Sequence, residues 1–165
     1  YIVHIPCVLL FVGFAGAGFN QDFQKEMGPG ESLEIGSYSL TLEQVKNKDN
    51  PNYASAVAVM KVYQNGKLIE TLLPERRFYK AREEPTSEVA LRSSLKEDLY
   101  VVLSGFTPST SRAVMHTFLN PLVSWIWIGG LVFMLGTVVC LIPDRHEKAM
   151  QKVAAPVEAE ELAKA

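Results

Sequence analysis

Few residues in this 165-residue chain could do chemistry beyond proton exchange at a surface: three histidines, two cysteines and scattered carboxylates. Cys7 and Cys140 both fall in apolar runs. They form no CxxC, no metal-ligand spacing and no disulfide framework, and read as small buried hydrophobes. Glu75-Arg76-Arg77 and Glu83-Glu84 are charge clusters of the kind found on solvated faces. Arg76-Arg77 beside Phe78-Tyr79 could instead dock a partner or an acidic group. No nucleophile stands with a base, and residues 20–112 hold neither histidine nor cysteine, so the sequence assigns no catalytic residue.

His146 lies in a charged flank and reads as a surface residue, and His116 as a polar residue where the chain returns to a membrane. His4 is different. It is the one ionisable side chain in the run YIVHIPCVLLFVGFAGAGF, which has no Lys, Arg, Asp or Glu. An imidazole placed in lipid costs free energy unless it is hydrogen-bonded or coordinated. Haem iron, a proton relay and a hydrogen bond to a neighbouring helix are the candidates. Iron would need a second axial group or an apolar cleft between helices.

These residues sit on a chain with three kinds of composition. As a helix, residues 1–19 are about 28 Å long, close to the hydrocarbon thickness of a bilayer. Gly13, Gly16 and Gly18 make the second half small-sided, suited to close helix packing. The opening at Tyr1, inside an apolar run with no basic flank, fits a signal peptide poorly. The expectation is the C-terminal piece of a longer membrane protein.

From Gln21 to Arg112 acidic and basic residues are nearly balanced and interspersed, as on a solvated surface. Short stretches of β-formers predict strands at 32–35, 38–45, 53–63, 67–73, 77–79, 89–95 and 99–103. Asn65-Gly66 between two of them is a type I′ hairpin signal. Ala113 to Pro143 again lacks Lys, Arg, Asp and Glu, and its core 118–142 is long enough to span. Asn120-Pro121 supplies a helix start and Trp125 and Trp127 an interfacial belt.

The reading is a membrane protein with two transmembrane α-helices flanking a small antiparallel all-β extracytoplasmic domain, sandwich or barrel. Its parts are a helix over 1–20, the β-rich domain over 21–112, a segment over 113–143 that re-enters and spans the membrane, and a cytoplasmic tail over 144–165. Arg145, Lys148 and Lys152 beside a span end place the C-terminus in the cytoplasm and the β-domain outside. A formal charge of −2 and the absence of a basic, aromatic-interleaved stripe exclude nucleic acid as an expected partner. A mean hydropathy of +0.09 fits apolar blocks around a polar domain. A transporter or channel is disfavoured, since neither span carries a line of polar residues.

In order along the chain stand HIPCVLLFVG, PGES, PERRFY, EDLYVVL, NPLVSWIWIGGLVFMLG and DRHEK. This ordered set resembles the C-terminal part of the CcmF/NrfE family, cytochrome c maturation proteins of the bacterial haem lyase. The resemblance implies a multi-pass protein of the cytoplasmic membrane. It would work with other haem lyase subunits, a haem chaperone and apocytochrome c, and take part in attaching haem to the apocytochrome. It also implies a haem b ligated by two membrane histidines on different helices. His4 matches one of them, as an axial ligand, and the second would lie outside this chain. The family's tryptophan-rich haem-handling segment and its external histidine pair are not in these residues, so this piece is not expected to be catalytic alone. A membrane-anchored docking module with no haem of its own is the alternative reading.

Overall fold

A computed structural model describes residues 4–81 and 85–141. The helix α1 runs His4–Ala15 and tightens into a 3₁₀ turn over Gly16–Phe19. Ten strands follow: β1 (Gln21–Met27), β2 (Ser32–Ile35), β3 (Tyr38–Asp49), β4 (Tyr53–Gln64), β5 (Lys67–Leu72), β6 (Glu75–Tyr79), β7 (Pro85–Glu88), β8 (Ala90–Arg92), β9 (Glu97–Thr107) and β10 (Arg112–Pro121). The helix α2, Val123–Cys140, closes the described chain.

The strands form two antiparallel sheets, one ordered β1-β10-β9-β8 and the other β2-β3-β4-β6-β7 with β5 beside β4. Their facing sides bury Leu40, Leu42, Met60, Val62, Leu103 and Met115 completely. The two-residue side-chain period puts Leu99, Val101 and Leu103 inward from β9, and Ala113, Met115, Thr117 and Leu119 inward from β10. The predicted hairpin is present. Asn65 and Gly66 both take positive φ, +51° and +75°, between the paired Gln64 and Lys67.

Three strands, β1, β7 and β10, fall outside the sequence expectation, and the first and last of them show why. In β1, QDFQKEM, the apolar residues are sparse, and it forms because its whole length pairs with β10, Gln21↔Leu119 to Met27↔Ala113. As an outer strand it carries the charges that discourage further pairing. Residues 113–121 were expected to re-enter the membrane; they are instead strand β10. Their lack of charge reflects an outward face of Val114, His116 and Phe118 over an inner face that is apolar but for Thr117. Asn120-Pro121 therefore ends a strand and does not start a helix.

Leu122, with φ +62°, turns the chain from β10 into α2. The loop between β8 and β9 receives the new helix. Its Lys96, Leu95 and Ser94 carbonyls accept bonds from Leu122 N (2.9 Å), Trp125 Nε1 (2.9 Å) and Ser124 Oγ (2.7 Å). The Leu122 bond satisfies the cap residue's own N–H, and the two side-chain bonds anchor the first turn of the helix to the loop.

The helices pack antiparallel through glycine. A Cβ on Gly13 would lie 2.4 Å from Ile126 Cγ1, one on Gly129 3.1 Å from Leu10, and one on Gly16 2.3 Å from the Pro121 carbonyl oxygen. Only α2 is long and apolar enough to cross a membrane among the described residues; α1 is shorter. The expected span over 1–20 thus has a described helical part of 4–19, and residues 142–165, tail included, lie outside the described residues.

Overpacking costs about 1–3 kcal/mol. Gly13→Val is expected to destabilise the protein by that amount in detergent, read as a lower thermal midpoint. Gly130→Ala, which faces open space in the helix interior, should not lower the midpoint.

Candidate functional site

His4 opens α1 at the end farthest from the sandwich. Eleven further α-helical residues and four 3₁₀ residues separate it from β1, which corresponds to roughly 24 Å of rise. Pro6 lies in the first described turn, where its missing N–H costs little, and it is buried. His4 itself is exposed and makes no hydrogen bond or ion pair among the described residues. Val8 and Phe11, one and two turns on, are 60 % and 74 % exposed. The imidazole therefore stands on an outward, apolar helix face, turned away from α2. Within the described residues no group of three or more His, Cys, Asp or Glu could hold a metal ion. Iron at His4 would find one donor among the described residues. Cys7 and Cys140 form no disulfide.

His116 is not at a membrane return. It sits mid-strand on the outer face of the β1-β10 ladder, with Nε2 hydrogen-bonded to the Asp22 carboxylate. Its ring lies on Phe118, with centroids 4.1 Å apart. These contacts give it a structural role, tying the first strand to the last. His146 lies outside the described residues.

The neighbouring arginines of PERRFY separate because successive strand residues face opposite ways. Arg77 donates to Glu75 and Glu88, at 3.0 Å each, and its guanidinium lies 5.1 Å from the centroid of the Tyr53 ring. The bond from Arg77 holds the Glu75 carboxyl below the usual carboxylate range, and the same partner raises the guanidinium further above its own. Arg77 is an internal clamp. Arg76 points to the other face, makes no ion pair among the described residues, and lines a cleft of about 730 Å³ with Phe78, Lys48 and Phe106. The motif flagged Arg76; Lys48 and Phe106 come from strands far away in sequence and carried no local signal.

Arg112 makes a second clamp. It donates Nε to Glu26 and Nη1 to Glu31, both at 3.1 Å, and Nη2 to the Glu26 carbonyl. This joins β1 and β10 to the turn at Gly28–Glu31, where Gly30 takes φ +86°. The Arg112 bond holds the Glu31 carboxyl low.

Comparison with known proteins agrees with this architecture. A family model described as the CcmF C-terminal beta-sandwich matches residues 18–121. The cytochrome c-type biogenesis protein ccl1 of Rhodobacter capsulatus is 33% identical over 144 residues, covering 85% of this chain and 22% of that protein. CcmF of Escherichia coli, also named a cytochrome c-type biogenesis protein, is 33% identical over 151 residues, covering 88% and 23%. A solved structure titled cytochrome c heme lyase CcmF superposes with a TM-score of 0.68 at 21% identity, over 86% of this chain and 24% of that one, a likeness of fold. The chain thus spans under a quarter of each of these three proteins.

The two clamped carboxyls set a pH dependence. Glu31 and Glu75 titrate lower folded than unfolded, so their contribution is complete above the ordinary value of 4.5. It is lost as pH falls through the lower folded values. Urea unfolding of the full chain should show stability dropping below about pH 4.5, and Arg112→Ala should shrink the drop. An identical acid profile in that variant would disprove the Arg112 share.

Proposed function

This chain belongs to the CcmF C-terminal beta-sandwich family, and from that premise we propose that it is the C-terminal part of a cytochrome c biogenesis protein of the haem lyase type. Its sandwich would stand outside the cytoplasmic membrane on two flanking spans. Its partners would be other haem lyase subunits, a haem chaperone and apocytochrome c. The names of the relatives and the family match support this reading, and the uncharged helix α2 suits the membrane setting.

Within it, His4 would hold the iron of a haem b through its imidazole, together with a ligand from outside this chain. One observation carries the assignment: the imidazole is exposed on an apolar helix face with no partner among the described residues. In lipid such a group needs a hydrogen bond or a ligand, and the face it shares with Val8 and Phe11 could lie against a porphyrin. Haem bound there would supply one-electron chemistry. This chain's part is to present the ring nitrogen and exclude water. The Gly13 and Gly129 contacts that pin α1 on α2 fix the height and rotation of that nitrogen.

His4→Ala in the full-length protein, purified from membranes, is expected to remove most of the reduced b-type haem absorbance while the protein still accumulates. An unchanged spectrum would rule His4 out. His116→Ala, whose ring is engaged by Asp22 and Phe118, should retain the haem.

A further inference from the structure

At the end of the sandwich remote from the helices the two sheets come apart. The strand β9 starts at Glu97, beside α2, and runs to Thr107, about 33 Å away at strand rise. On its β8 side it is paired only from Leu99 to Val101. On the opposite sheet β7 is an outer strand, exposed along its whole length. The two edges touch where Ser87 Oγ donates to the Leu103 carbonyl at 3.3 Å. Beyond that point Pro85 and Ser104–Thr107 line opposite sides of the 730 Å³ cleft.

The cleft has three recognition elements. The β9 edge past Leu103 has no ladder partner on the β8 side among the described residues, so its outward backbone groups are open to an added strand. Phe78 and Phe106 give apolar walls. Two cations, Arg76 and Lys48, make no ion pair among the described residues. Among the described residues the nearest acids accept from other cations: Asp49, which lines the cleft, from Lys80 at 2.7 Å, and Glu75 from Arg77. Among the described residues the cleft therefore sets Arg76 and Lys48, neither in an ion pair, beside apolar walls and a strand edge with no ladder partner.

We propose that this cleft binds an extended, acidic segment of a partner polypeptide by strand addition to the β9 edge. An Asp or Glu side chain meets Arg76 and Lys48, and an apolar neighbour rests on Phe78 and Phe106. Main-chain bonds to a sheet edge give affinity, and pockets for alternate side chains give selectivity. A planar guanidinium suits a carboxylate bidentately. The distance from α2 argues against membrane lipid as the occupant. The site owes nothing to His4, so it stands or falls apart from haem binding.

The test uses the full chain in detergent against a synthetic array of capped decapeptides. Peptides with Asp or Glu flanked by Phe, Leu or Val should be enriched. The best of them, labelled and followed by fluorescence anisotropy, should lose at least tenfold in affinity when its acid becomes the amide. Alternate N-methylation of its backbone should cost a similar factor. Arg76→Gln and Lys48→Gln should each weaken it, checked for folding by circular dichroism; Lys61→Gln, which pairs with Glu43 away from the cleft, should not. Array binding without acidic enrichment, or full affinity in Arg76→Gln or for the N-methylated peptide, would overturn the proposal.

Discussion

The join between sandwich and helices governs everything this chain can present. It is made of backbone polarity. Three successive carbonyls of the β8–β9 loop accept bonds from the start of α2. Helix starts leave donors that must find partners, most of all where water is scarce. The loop meets the Leu122 N–H and holds the Ser124 and Trp125 side chains, which makes sheet and helix one piece. The close approach of Gly16 to the Pro121 carbonyl brings α1 into the same joint. With both helices seated there, the position of His4 follows from the helical rise.

The sandwich shows a second economy. Its two arginine clamps, Arg77 and Arg112, each hold two carboxylates and tie strands that packing alone would leave loosely placed. Exposed ion pairs add little individually; here each arginine serves a junction between elements. The distal cleft is built differently: among the described residues its Arg76 and Lys48 make no ion pair, and they stand beside two phenylalanines and a strand edge without a ladder partner.

Much of this was legible in the sequence. Seven expected strand stretches fall on or across observed strands, and Asn65-Gly66 gives the turn its two positive φ values. The β1 and β10 strands were illegible for opposite reasons. QDFQKEM is too polar to show an inner face, because an outer strand needs few apolar contacts. AVMHTFLN is too apolar to suggest water, because both its faces carry hydrophobic side chains. Local pattern also placed His116 at a membrane boundary; only the pairing of β1 with β10 brings Asp22 to it. Of the candidate residues, His4 stood out by its surroundings, and Arg76 parted from Arg77 only when their strand was given its faces.

The β1–β10 ladder has a consequence for how the molecule is made. Gln21 must find Leu119, so the first strand stays single until the last has emerged. That is a closure of about a hundred residues, slow and entropically late. Because α1 leads into β1 and α2 follows β10, the same ladder brings the helices to adjacent exits. Assembly therefore finishes where the chain enters and leaves the sandwich. Until the ladder zips, the histidine-bearing helix is free to seek other neighbours.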